Sequence, residues 1–296
     1  MGFRLVGQMR VGATAVGLVG ALLLSGAPGV AAASAPRIPL GARDVTTSAA
    51  GRQLIAAARI RFARAGMPAG ALIVVQDSTG YTVAPAGTRF ASRHVRLADG
   101  TSGIVLDPMT ASAPVQAPTK VEAHVSPFLV GSWGNPVAGG CFSRISDTWS
   151  YLDHCYQMWK ESNDGSSTRD WFALRHFGTA FPNSPWVVNS AFLSSSPTSS
   201  SSAQNWWEYS PLNGHTGSCT TETIGITSPV GGISHSLQVC EEWDIAKGNP
   251  TVSFALGWYG PGTRSSRGLD YEISIYVAQG GWPQWSLPAT TSGSAF

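Results

Sequence analysis

Cys219-Thr220-Thr221-Glu222-Thr223-Ile224-Gly225-Ile226-Thr227-Ser228-Pro229-Val230-Gly231-Gly232-Ile233-Ser234-His235-Ser236-Leu237-Gln238-Val239-Cys240 is the stretch whose reading decides the fold. If its two cysteines face each other across an antiparallel pair, Ile226 stands opposite Ile233, Ile224 opposite His235 and Glu222 opposite Leu237. The reversal then falls on Ser228-Pro229-Val230-Gly231-Gly232, a run with turn chemistry. Alternation places Cys219, Thr221, Thr223, Ser236, Gln238 and Cys240 on one face. It places Ile224, Ile226, Ile233, Leu237, Val239 and Trp243 on the other. A slip by one residue would bury the Thr/Ser face instead. Turn, face pattern and cysteine spacing therefore agree on one register, a hairpin stapled by a Cys219–Cys240 disulfide. Closing a loop of about 20 residues is worth ~3 kcal/mol in the chain-entropy picture.

The chain has four cysteines in all, so Cys141 and Cys155 pair by elimination among three possible connectivities. Period-two patterning continues around the hairpin. Leu269 to Val277 is apolar at odd positions, and Thr251 to Tyr259 puts Val252, Phe254, Leu256 and Trp258 on one face. Such strands are half-buried, with one side against a core. Tyr156 to Lys160 and Asp170 to Phe177 flank the turn-rich Glu161-Ser162-Asn163-Asp164-Gly165 and read as a further hairpin. The fold class that follows is all-β: an antiparallel β-sandwich or jelly roll with two disulfides, preceded by a small basic α+β segment.

Compartment follows from the N-terminus. Arg4 and Arg10 precede an apolar run from Val11 to Leu24, and Ala31-Ala32-Ala33 supplies a small-residue cleavage site. Residues 1–33 have the build of a secretory signal peptide. Gly and Pro interrupt the run, which is shorter than the ~20 residues a membrane helix requires. An extracellular, disulfide-permissive protein with no integral membrane segment after leader removal is expected. The Ala-, Gly- and Arg-rich composition points to a high-GC bacterial gene.

The formal net charge of +2 hides an asymmetry. Residues 36–123 carry ten basic and five acidic side chains, residues 124–296 seven and twelve. All eleven Trp lie in the second part. The Pro/Ala/Thr-rich stretch at 110–123 has linker composition. It divides a basic segment at 36–109, a candidate pro-region, from a Trp-rich sandwich domain at 124–296. In the basic segment, Thr47 to Ala65 reads as a helix with Ile55, Ala58 and Phe62 on one face and Ser48 as its cap. Ala71 to Val75 reads as a strand, and His94–Leu97 with Ile104–Leu106 as a hairpin. The better-folded part is acidic and no dense Lys/Arg stripe is present, which argues against nucleic acid.

Catalytic signatures are sparse. There is no G-x-S-x-G elbow and no phosphate-cradling glycine motif. Asp153-His154-Cys155 resembles a ligand cluster, but no CxxC or HExxH accompanies it, so neither metal nor cofactor is expected. In the hairpin register Glu222 lies diagonal to His235, about 7–8 Å away at the backbone. Glu222 and Glu241 stand ~13–14 Å apart, beyond the ~5–9.5 Å of glycosidase acid pairs, so a third acid such as Asp244 or Glu272 would be needed. Of the adjacent Trp206 and Trp207, one points outward on a strand. Trp206, Trp207, Glu222, His235 and Trp243 are the candidate ligand-binding residues. No catalytic residue is assigned. The expectation is a monomeric, non-catalytic binder of cell-surface or environmental polysaccharide. A glycoside hydrolase and a structural or protein-interaction component of the envelope are the alternatives.

Overall fold

The computed structural model describes residue 38 and residues 41–64, 69–112, 135–146, 149–161, 166–198, 203–210, 220–228, 231–239, 244–247 and 254–295. In chain order the elements are β1 (Arg43–Asp44), α1 (Ala49–Arg64), β2 (Leu72–Asp77), β3 (Gly80–Pro85), β4 (Phe90–Arg96) and β5 (Ser102–Pro108). Then follow β6 (Ala138–Ile145), β7 (Ser150–Lys160), β8 (Arg169–Pro182), β9 (Val187–Pro197), β10 (Ala203–Ser210), β11 (Thr220–Ser228) and β12 (Gly231–Val239). The last are β13 (Asp244–Lys247), β14 (Phe254–Thr263), β15 (Arg267–Ala278), β16 (Trp285–Ser286) and β17 (Ala289–Ser294).

The hairpin register read from the cysteines is the one the backbone adopts. Thr220 opposes Val239, Glu222 opposes Leu237, Ile224 opposes His235 and Ile226 opposes Ile233. Cys219 and Cys240 themselves lie outside the described residues, so the structure describes one disulfide rather than the two expected. That bridge joins Cys141 to Cys155, directly opposed on β6 and β7, with Cα atoms 4.1 Å apart.

Eight strands form the larger antiparallel sheet, in the order β1-β2-β3-β6-β7-β8-β15-β10. A second sheet runs β13-β14-β9-β16, with β17 also on β9. The two share one apolar core. Phe142, Leu152, Leu174, Ile273 and Ile275 from the first meet Leu193, Phe254, Leu256 and Trp258 from the second. Alternation along β14 puts Phe254, Leu256 and Trp258 inside, as its pattern requires.

The opposite face of the large sheet is covered by α1. Ser48 Oγ accepts the Gly51 N–H at 2.9 Å and caps the helix. Ala58 and Phe62 then reach the sheet every third or fourth residue and pack on Leu72, Val74, Val83 and the Cys141–Cys155 bridge. The segment expected to stand apart at 36–109 thus supplies α1 and three strands of the large sheet, and β3 pairs directly with β6. Most of the expected linker, from residue 113, lies outside the described residues; residues 35–296 form one compact unit.

Ion pairs cross the charge boundary. The Arg144 fork holds Asp77 at 2.8 and 3.0 Å, and the Leu106 N–H also reaches Asp77. Burial alone would raise Asp77, but these partners keep its carboxyl below the ordinary value. Asp107, held by Arg93 at 2.8 Å, is pushed up by burial.

β15 departs from expectation. Its odd positions face the core, but Asp270, Glu272 and Ser274 are buried too. Arg175, reaching across from β8, pairs with Asp270 and lies beside Glu272, so these acids are buried as charge partners and not turned to water.

Candidate functional site

An open cleft lies on the α1 side of the sheet. Its floor is three cross-strand pairs of β7 and β8: Tyr151–Phe181, Asp153–Thr179 and Cys155–Phe177. Its wall is the last turns of α1, through Arg61 and Phe62. The cleft is open and holds about 440 Å3, within the ~300–1,000 Å3 range of small-ligand sites. Gly178, opposite His154, lies between the cleft residues Phe177 and Thr179 and would turn a side chain toward the core, not into the cleft. A Cβ there would fall 2.8 Å from the Asp153 carbonyl and 2.9 Å from the His154 Cβ.

The polar groups of the cleft are fixed. Arg61 Nε donates to Asp153 Oδ2 at 2.5 Å and Arg61 Nη2 to Ser143 Oγ at 2.9 Å. The guanidinium lies 4.3 Å from the centroid of the Tyr151 ring, a cation–π geometry. Tyr151 stacks in turn on Phe181, with centroids 5.2 Å apart and planes 20° from parallel. Burial pushes the Asp153 carboxyl above its ordinary value, against the pull of Arg61 and Ser143. At the far end Arg175 covers the Phe177 ring at 4.3 Å and grips Asp270 through Nε at 3.0 Å. Burial would depress Arg175, but the Asp270 carboxylate overrides it and raises the guanidinium above its ordinary value.

On the other side of the same strands runs a polar chain inside the apolar core. His154 Nδ1 and His176 Nε2 are 2.9 Å apart, and His176 Nδ1 is 2.8 Å from the Tyr271 hydroxyl. All three residues are buried, and His154 Nε2 has no partner among the described residues. Desolvation carries the His176 imidazole down to about 3 and holds His154 well below its ordinary value. Both rings are neutral through the physiological range. Sealed from solvent, this relay serves the core rather than a substrate.

The sequence triplet Asp153-His154-Cys155 is split by the pleat. Asp153 and Cys155 face α1, while His154 faces the core. Asp153 is committed to Arg61 and Cys155 to its disulfide. No group of three or more metal-ligating side chains occurs among the described residues.

Of the residues singled out in the sequence, Trp206 and Trp207 lie on β10, opposite Ser274 and Ile273. Glu222 and His235 hold the predicted diagonal on β11 and β12, and β11 lies against β10 and β15. The side chains of these four residues, and Trp243 and Glu241 altogether, lie outside the described residues. Asp244 is on β13 of the smaller sheet, while Glu272 is on β15 of the larger, so these two acids belong to different layers. Glu272 is buried beside Arg175. Among described tryptophan side chains none is exposed; Trp258 and Trp285 fill the core.

Sequence reading missed the cleft. Alternation over Ser150–Lys160 would have put Tyr151, Asp153 and Cys155 on one face, but only Tyr156 to Lys160 reads plainly as strand.

The chain matches no model of a known protein family, and no curated protein is similar to it at a significant level.

Proposed function

We propose that the protein is an exported, non-catalytic binder of polysaccharide that seats a sugar ring in the cleft beneath α1. The observation that carries this reading is the pairing of an aromatic stack, Tyr151 on Phe181, with a hydrogen-bonding ion pair, Arg61 and Asp153, in one open cleft. Sugar rings present an apolar face and a polar edge, and the cleft offers a surface for each. Asp153 is the one carboxylate among the lining residues. Cleavage by paired acids needs a second carboxyl ~5–9.5 Å away, which favours binding over hydrolysis. The export signal supports an extracellular ligand.

The test is calorimetric titration of the mature protein with a panel of oligosaccharides and with fragments of the producer's own cell wall. At least one is expected to bind, and Phe181→Ala to weaken it about tenfold, the equivalent of ~1.4 kcal/mol of lost ring contact. Absence of binding across the panel, or unchanged affinity in Phe181→Ala, removes the proposal.

A further inference from the structure

Arg61 and Asp153 are the two charged residues lining the cleft, and they neutralise each other. Arg61 is permanently cationic. It is held in place three times over, by Asp153, by Ser143 and by the face of Tyr151. At the Phe177 end, Arg175 is likewise paired, with Asp270. The cleft is therefore polar at two points and charge-balanced at both.

Resting on the sugar-binding reading, we infer that the Arg61–Asp153 ion pair makes the cleft selective for uncharged sugars and excludes acidic and amino polysaccharides. A ligand carboxylate brought to Arg61 would meet a cation already spoken for, with the Asp153 carboxylate alongside it. Like charges at that distance repel, and breaking the pair would leave one partner uncompensated at low dielectric. An ammonium brought to Asp153 meets the mirror-image obstacle in Arg61. A hydroxyl both donates and accepts. It can donate to Asp153 Oδ2 and accept from Arg61 Nη1, which makes no hydrogen bond among the described residues, without disturbing either. The pair thus rejects the wrong ligand electrostatically while leaving the right one unpenalised.

The experiment uses the mature protein and three oligosaccharides of equal length: a neutral hexose oligomer, a uronic acid oligomer and an amino-sugar oligomer. Wild type is expected to bind the neutral oligomer at least about tenfold more tightly than either charged one. Asp153→Asn leaves Arg61 unpaired and is expected to shift the neutral-to-uronate preference at least about tenfold toward the uronate. Arg61→Gln is expected to do the same for the amino sugar. Circular dichroism and melting confirm that each variant is folded, and the two variants test the inference from opposite signs. Uronate binding by wild type as tight as neutral binding overturns it, as do preferences unchanged in both variants. Either result leaves the sugar-binding reading standing. Failure of all three oligomers to bind, together with the wider panel, removes that reading and the selectivity with it.

Discussion

Lowering the pH from 6.5 to 4.5 should cost this fold several kilocalories per mole through the two core histidines. His154 and His176 are neutral in the native state because burial disfavours the imidazolium. In the unfolded chain both regain their ordinary value of 6.5. Below that pH the unfolded state binds the extra protons, so stability falls, and it keeps falling until pH reaches the depressed native value, about 3 for His176. Each such group contributes a slope of up to ~1.4 kcal/mol per pH unit, so His176 alone costs ~2 kcal/mol over these two units and His154 adds to the fall in the same sense. Asp107 and Asp153, raised by burial, act in the opposite sense and reduce the fall. Urea denaturation at half-unit pH steps measures the curve. His154→Phe should make the slope shallower, since Phe needs neither the proton nor the partner that Nε2 lacks. A wild-type curve flat between pH 7 and 5, or a slope unchanged in His154→Phe, would refute the assignment of both rings as neutral core groups.

Three further outcomes are expected. Replacing Cys141 and Cys155 together by Ser should lower unfolding free energy by ~3 kcal/mol, as for a bridge whose ends are 14 residues apart; urea midpoints check this. Non-reducing peptide mapping of the protein should recover Cys141 with Cys155 and Cys219 with Cys240, and a crosslink between the two pairs would contradict the hairpin register. Asp77→Ala strands the buried Arg144 fork and should cost ~3–5 kcal/mol, read as a drop in melting temperature.

Where pairing is local, the chain announced it. The register of β11 and β12 followed from two cysteines, a turn and a face pattern, and β4 pairs with β5 where His94–Leu97 and Ile104–Leu106 read as a hairpin. The buried face of β14 and the Ser48 cap of α1 were equally plain. Pairing distant in sequence was hidden. β3 joins β6 across some fifty intervening residues, the stretch of linker composition at 110–123 among them, and nothing local marks that contact. The burial of Asp270 and Glu272 depends on Arg175 of β8, which alternation within one strand does not report. The cleft needed the same long reach, since Arg61 and Asp153 are 92 positions apart. Trp258 and Trp285 lie in the core, since large rings mark cores as readily as surfaces.

The β3–β6 seam gives the basic segment a role that its charge does not suggest. Were a protease to trim the chain to residues 124–296, β6 would lose its neighbour along Arg144 and Ser143, and Arg144 would lose Asp77. A bare ladder of amide and carbonyl groups is an invitation to other chains. Such a truncated form should therefore come off a sizing column as aggregates, with α1 and β1 to β3 acting as a sheath for the sheet they complete.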